Sequence, residues 1–233
     1  MPSKFKVEQP KSLTEIVTDR LRQAIIDGEF GLGEAISEET LAASFGVSRT
    51  PVRDALTQLQ LAGLVVVQSK RGSFVFRPSL ADAVALCDYR IMLETGAARM
   101  AYARAKGPTL QALNNAVSDM KTARASGDAT AYGHADTRFH QALFDHTENS
   151  YLCDAYRLAS GRIAALRTHL TAKSTERRDV SFQEHKKIVD LFDKGNLEEL
   201  TKCLTEHIDR TRVVYIAMMK EGAMTDPTTK WAS

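Results

Sequence analysis

Strand signal is confined to one place in this chain. Leu64-Val65-Val66-Val67 is short and β-branched, Ser73-Phe74-Val75-Phe76 is a second such run, and Lys70-Arg71-Gly72 between them supplies a turn. Almost everything on either side reads at helical spacing. The pattern predicts a mainly α chain: three helices plus a β-hairpin first, then an all-α antiparallel six-helix bundle.

The three N-terminal helices have local signatures. Ser12-Leu13-Thr14-Glu15 has the form of a capping box, and Leu13, Ile16, Val17, Leu21, Ala24 and Ile25 recur at helical spacing before Gly28 stops the run. Ser37 can cap a second, short helix with Leu41, Ala42 and Phe45 inward. Gly46 provides a tight turn, and a third helix runs from about Arg49 to Ala62, ended by Gly63. Helix, Gly-centred turn and helix followed by a basic hairpin is the layout of a winged helix-turn-helix.

The remainder is read as helices over 80–105, 109–125, 129–147, 150–172, 181–194 and 197–220. Breaks fall at Gly107-Pro108, Gly127-Asp128, Asn149-Ser150, 173–179 and Gly195-Asn196. Ser181 with Glu184, and Asn196 with Glu199, resemble capping boxes. The expected organisation is a flexible N-terminus (1–11), a winged helix-turn-helix (12–77), an all-helical binding domain (79–222) and a flexible tail (223–233).

Composition excludes more than it selects. No apolar run approaches the ~20 residues a membrane span needs, and Lys4 and Lys6 are not followed by the apolar core of a secretory signal, so a cytoplasmic protein is expected. Cys87, Cys153 and Cys203 are odd in number, far apart and in apolar helical contexts, which suits small buried hydrophobes. Residues 1–78 hold 10 Lys/Arg against 9 Asp/Glu. Any attraction to nucleic acid must therefore come from where the charges sit.

They sit suitably. Ser48, Arg49, Thr50 and Arg53 occupy the first turn or so of the third helix, the end of a recognition helix that enters a major groove. Arginine there can bond a guanine edge bidentately or a phosphate singly. Lys70 and Arg71, at the hairpin tip, are placed to meet backbone or minor groove. The plainer alternative is a helical hairpin whose arginines are merely solvated.

Three of the six histidines stand out by their neighbours. His140 follows Asp136 by four residues, so both project from one helix face, which Leu143 and Phe144 share. His185 leads an inward stripe through Ile188 and Phe192, and His207 lies on the stripe of Leu200, Leu204, Thr211 and Val214. A single such histidine reads as a hydrogen-bonded core residue. Three on separate apolar faces, one with an aspartate partner, read as ligands for a divalent metal: Zn, Ni, Co, Mn or Fe. Four ligands on a six-coordinate ion would leave two positions for water or an effector's oxygens. His134, His146 and His169 lack this context and are read as surface or partly buried. Arg177-Arg178 and Lys186-Lys187 are read as solvated faces.

The run Gly46-Val47-Ser48-Arg49-Thr50-Pro51-Val52-Arg53-Asp54-Ala55-Leu56, with Leu61-Ala62-Gly63-Leu64 and Gly72, closely resembles the reader domain of the GntR family of bacterial transcription regulators. The resemblance implies that Arg49 and Arg53 contact operator DNA and that Gly72 lies against the minor groove. Many members carry an arginine where this chain has Glu39, which leaves that one contact open. Asp136-Thr137-Arg138-Phe139-His140, Glu184-His185 and His207 resemble the metal site of the FCD effector domain found in the FadR-type branch, and the six-helix count resembles its VanR-like group. The likeness implies Asp136, His140, His185 and His207 as metal ligands. It also implies that Arg90, in Tyr89-Arg90-Ile91-Met92-Leu93-Glu94, holds an effector carboxylate, against the alternative of a surface pair with Glu94. Asn149 is a further pocket candidate, against a helix-ending role.

The resulting expectation is a homodimer on a palindromic operator, with a small carboxylate effector altering DNA affinity and repression relieved by that effector. The alternatives are an activator or a corepressed regulator, a regulator for which the ion itself is the signal, a metal that only braces the bundle, and a metalloenzyme. Against the enzyme stand the lack of an obvious general base beside the ligands and the presence of a reader an enzyme would not need.

Overall fold

The computed structural model describes residues 11–170 and 174–221. The expected flexible ends, Lys11 aside, lie outside the described residues, as does the end of the helix expected over 150–172.

Local signals account for the first elements. Helix α1 (Leu13–Asp27) begins with the reciprocal Ser12–Glu15 capping box and ends at Gly28 with φ 78°. Strand β1 (Ala35–Ile36) follows, then α2 (Glu38–Phe45), capped by Ser37, and α3 (Arg49–Leu61). Gly46 turns the chain between them with φ 65°. Strands β2 (Val65–Gln68) and β3 (Gly72–Val75) form the hairpin, antiparallel with Val66 opposite Phe74. The sheet has three strands in the order β1-β3-β2 rather than the two expected. Two residues are too few to show alternation, and it is long-range pairing with β3, Ala35 opposite Phe74 and Val75 N bonded to Glu34 O (2.8 Å), that draws β1 in.

The rest is helical: α4 (Leu80–Ser126), α5 (Ala129–Asp145), α6 (Ser150–Leu170), α7 (Thr175–Lys194) and α8 (Leu197–Lys220). Helix α4 covers the two segments expected over 80–105 and 109–125, broken at Ala105 (φ −149°, ψ 51°) rather than at Gly107-Pro108. Pro108 explains the offset. Its ring clashes with the carbonyl four residues earlier, at Arg104, and it has no N–H to donate there, so the distortion lands upstream. Helix α7 starts six residues before the expected 181. Ser174 is its cap, and Ser181 lies inside the helix. Asn196 does cap α8, accepting from Glu199 N at 3.3 Å.

Two cores result. One gathers Phe139, Phe144, Phe192, Leu113, Leu143 and Leu204 inside the helical bundle. The other fills the winged region and continues without a break onto Ala83, Cys87, Leu166, Leu170, Ile208 and Tyr215 from α4, α6 and α8. The end of α1 also meets two histidines: His134 Nε2 lies 2.6 Å from Asp27 Oδ1, and His169 Nε2 lies 3.4 Å from the Ile25 carbonyl. Among the described residues no helix is long and apolar enough to cross a membrane.

Candidate functional site

Helix α5 carries Asp136 and His140 one turn apart on its buried face, α7 brings His185 and α8 brings His207. One ring nitrogen from each of the three histidines lies within 4.8 Å of the other two. His140 Nε2 and His185 Nε2 are 3.4 Å apart. Asp136 sits at the edge of this group, Oδ1 3.4 Å from His185 Nε2 and Oδ2 3.8 Å from His140 Nε2. Its Oδ2 also forms an ion pair with Arg167 Nε. All four side chains are buried.

The opposite ring nitrogens are held from outside. His140 Nδ1 is 2.7 Å from Glu94 Oε2, His207 Nδ1 is 2.7 Å from Glu184 Oε2, and His185 Nδ1 is 3.4 Å from Ser181 Oγ. An Nδ1–H donated to a carboxylate leaves the lone pair on Nε2, aimed inward. Burial lowers the pKa of His140 and His207 to about 4, and that of His185 well below its ordinary value. The imidazoles are therefore neutral at pH 7, as metal ligation requires. Burial alone would raise the carboxyls of Asp136 and Glu94. Arg167 beside the first, and Arg90 and then His140 beside the second, hold both below the usual carboxylate range. Neutral imidazoles oriented through Nδ1, with an ionised carboxylate at their side, fit a divalent first-row metal.

A small cleft opens beside Asp136 and His207, lined by Arg90, Arg167, Arg177, Arg178 and Arg210. Arg90 does pair with Glu94, Nε to Oε1 at 2.7 Å, but inside the bundle rather than on its surface. It is 1% exposed, with Nη2 3.4 Å from His140 Nε2. Asn149 does not line the cleft. It precedes α6, and its side-chain oxygen accepts from Leu152 N at 3.2 Å at the start of that helix. Arg178, expected on a solvated face, is buried, because α7 extends back past Ser181 and turns this residue inward.

Several residues of the site escaped sequence reasoning: Glu94, Arg167, Arg178, Glu184 and Arg210. Arg167 had a signal, lying four residues after Ile163 and three before Leu170 on the inward stripe of α6. Glu184 had a misleading one. Read as the far end of a capping box, it instead bonds His207 and, bidentately, Arg210.

On the winged region Ser48 stands at the N-cap of α3 with no side-chain capping bond. Arg49, Thr50 and Arg53 are exposed, as are Lys70, Arg71 and Gly72 at the β2–β3 tip, where Lys70 has φ 62° and Gly72 φ 102°. Both helix arginines lean on Glu38 of α2, Arg53 Nη2 at 3.0 Å and Arg49 Nη2 at 3.7 Å from Oε2. Glu39 is exposed beside it.

Comparison with known proteins agrees with this architecture. Residues 13–75 match the model of the gntR family of bacterial regulatory proteins, and residues 85–210 match the FCD domain. The chain is 27% identical over 219 residues to the HTH-type transcriptional regulator YdhC of Bacillus subtilis, covering 94% of this chain and 97% of that protein. It is 29% identical over 192 residues to a probable D-xylose utilization operon transcriptional repressor of Paenarthrobacter nicotinovorans, covering 82% and 84%. A crystal structure of a GntR regulator from Rhodococcus sp. RHA1 superposes with a TM-score of 0.79 at 25% identity, over 89% of this chain and 99% of that one. A winged reader joined to an FCD domain, on a chain whose relatives are DNA-binding regulators and not enzymes, makes this protein a transcriptional regulator of the GntR family.

Proposed function

We propose that this regulator binds a divalent metal through His140, His185, His207 and Asp136, and that a small organic acid entering the adjacent cleft alters its affinity for operator DNA. The carrying observation is the inward convergence of three imidazoles whose Nδ1 atoms are held from behind. A bound ion would supply Lewis acidity and fixed positive charge for an effector's oxygens. Arg90, buried beside His140, supports a carboxylate at the same place. The arginine-lined cleft favours an organic anion over the ion itself as the signal.

In this reading residues 12–77 are the reader and 79–222 the metal- and effector-binding unit. Ser48, Arg49, Thr50, Arg53, Lys70, Arg71 and Gly72 meet DNA. The protein acts in the cytoplasm as a homodimer on a palindromic site, because one reader spans only half an operator. It represses, and the effector relieves repression by favouring one arrangement of the two readers. The continuous core and the Asp27–His134 contact support mechanical coupling of the two regions.

The test is elemental analysis of purified wild-type protein and of His140→Ala with His185→Ala, joined to gel shifts on upstream DNA. Bound ion in the wild type and none in the double variant is expected. Full metal content in the double variant would remove the site. Operator affinity that tracks metal concentration with no organic acid present would make the ion the signal.

A further inference from the structure

We propose that α6 carries the effector's signal to the reader. Arg167 takes it up beside Asp136, and the edge at Gly161 and Arg162 delivers it to Gly63-Leu64, at the end of the recognition helix. The inference rests on the cleft being the effector site, as proposed above.

Helix α6 belongs to both cores. Tyr156, Ala159 and Ile163 pack into the bundle core, while Ala165, Leu166 and Leu170 pack into the core of the winged region. Its grip on the site is polar and specific. Arg167 Nε forms an ion pair with Asp136, and Arg167 Nη1 donates to Thr137 Oγ1 at 2.8 Å, so both partners come from α5. The same guanidinium lines the cleft. An acid bound there bonds Arg167 best at one setting of that side chain, and so favours one position of α6 against α5.

The contact with the reader is a close fit of backbone and side chain. A β-carbon on Gly161 would lie 3.0 Å from Leu64 Cδ1, and Leu64 is fully buried. Glycine inside a helix is less favourable than alanine, and its presence at 161 is explained by the room it leaves for Leu64. Across the joint, a β-carbon on Gly63 would lie 3.1 Å from Arg162 Nε, and Gly63 itself has φ 69°. Among the described residues Arg162 Nε has no hydrogen-bond partner, so packing and not a polar bond holds this nitrogen over Gly63. Further along α6, Thr168 and His169 lie against Gly28 at the end of α1. Close-packed surfaces transmit displacement. A shift of α6 therefore presses on the end of α3, whose other end bears Arg49 and Arg53.

Hydrogen exchange read by mass spectrometry tests this on the full-length, metal-loaded protein, alongside operator affinity by fluorescence anisotropy. The probes are acetate, lactate, succinate and glutarate. The acid that shifts wild-type operator affinity most, by about fivefold or more, is carried forward. In wild type that acid should change amide exchange over residues 59–66 as well as beside Arg167. Gly161→Ala wedges the joint and Arg162→Gln loosens it. Each should cut the operator response to within about twofold and abolish the exchange change over 59–66. Affinity for the acid, by isothermal titration without DNA, should stay within about threefold of wild type. Arg162 is half-buried and carries the test if Gly161→Ala does not fold. Unchanged exchange over 59–66 in acid-bound wild type, or a full operator response in the variants, would overturn the inference while leaving the effector site standing. Loss of acid binding in both variants would overturn it too, by placing residues 161 and 162 in the site instead of beyond it. If no acid of the four shifts the operator affinity of wild-type protein of verified metal content, the effector-site reading falls and the inference falls with it.

Discussion

Replacing Glu94 with glutamine should strike stability and metal affinity together. Glu94 is 0% exposed and bridges two partners, with Oε1 2.7 Å from Arg90 Nε and Oε2 2.7 Å from His140 Nδ1. A glutamine keeps the shape and loses the charge, leaving the Arg90 guanidinium buried without its counter-ion. Breaking a buried pair in this way costs about 3–5 kcal/mol. For a chain of this length that lowers the melting temperature by roughly 10 °C. The second effect is on the imidazole. If the new amide nitrogen faces His140 Nδ1, that atom must accept, the ring proton moves to Nε2, and the inward lone pair is lost. If the amide turns the other way, its NH2 points at the cation. Loss of such an orienting partner lowers metal affinity by about 10–100-fold. Thermal melts of chelator-treated and metal-loaded protein read the first effect, and competition with a metal-binding dye reads the second. The control is Arg90→Met with Glu94→Leu, which removes both charges and should be less destabilising than Glu94→Gln alone. A glutamine variant that melts with wild type and holds metal as tightly would refute the assignment of Glu94 as the residue that neutralises Arg90 and orients His140.

Other consequences are as direct. Because burial lowers the pKa of His140 and His207 from 6.5 to about 4, the unfolded chain binds more protons between those values. Metal-free protein should therefore lose stability as pH falls from about 6.5 towards 4, by on the order of 3 kcal/mol per residue. Urea titrations at pH 7.5 and 5 check this, and equal midpoints would contradict it. Arg49→Ala and Arg53→Ala should each weaken specific operator binding by roughly ten- to a hundredfold. Glu38→Gln, by releasing both arginines and removing a negative charge from the DNA-facing surface, should tighten binding. Fluorescence anisotropy at fixed salt measures all three, and weaker binding by Glu38→Gln would make Glu38 a positioning residue instead. Asp27→Ala should shrink the effector-induced change in operator affinity while leaving effector-free affinity near wild type, since it cuts the 2.6 Å contact from α1 to His134. An unchanged response would locate the coupling elsewhere.

Much of this molecule follows from the chain read alone. Capping boxes, glycine stops and apolar spacing are interactions within a few residues, so Ser12–Glu15, Ser37, Gly46 and the β2–β3 hairpin could be read directly. The inward faces bearing His140, His185 and His207 could also be read, because a helix repeats its faces at a known spacing. Tertiary structure decided the rest. Whether Glu184 caps a helix or holds His207, whether Arg90 and Glu94 form a surface pair or a buried one, and whether Arg178 meets water or a cleft depend on which helices pack together. A charged residue carries the same local signal in either setting. Its burial becomes favourable only when opposite charge or a hydrogen-bonding partner lies beside it in the packed bundle, and which face of a helix is covered in this way is decided by packing and not by spacing along the chain.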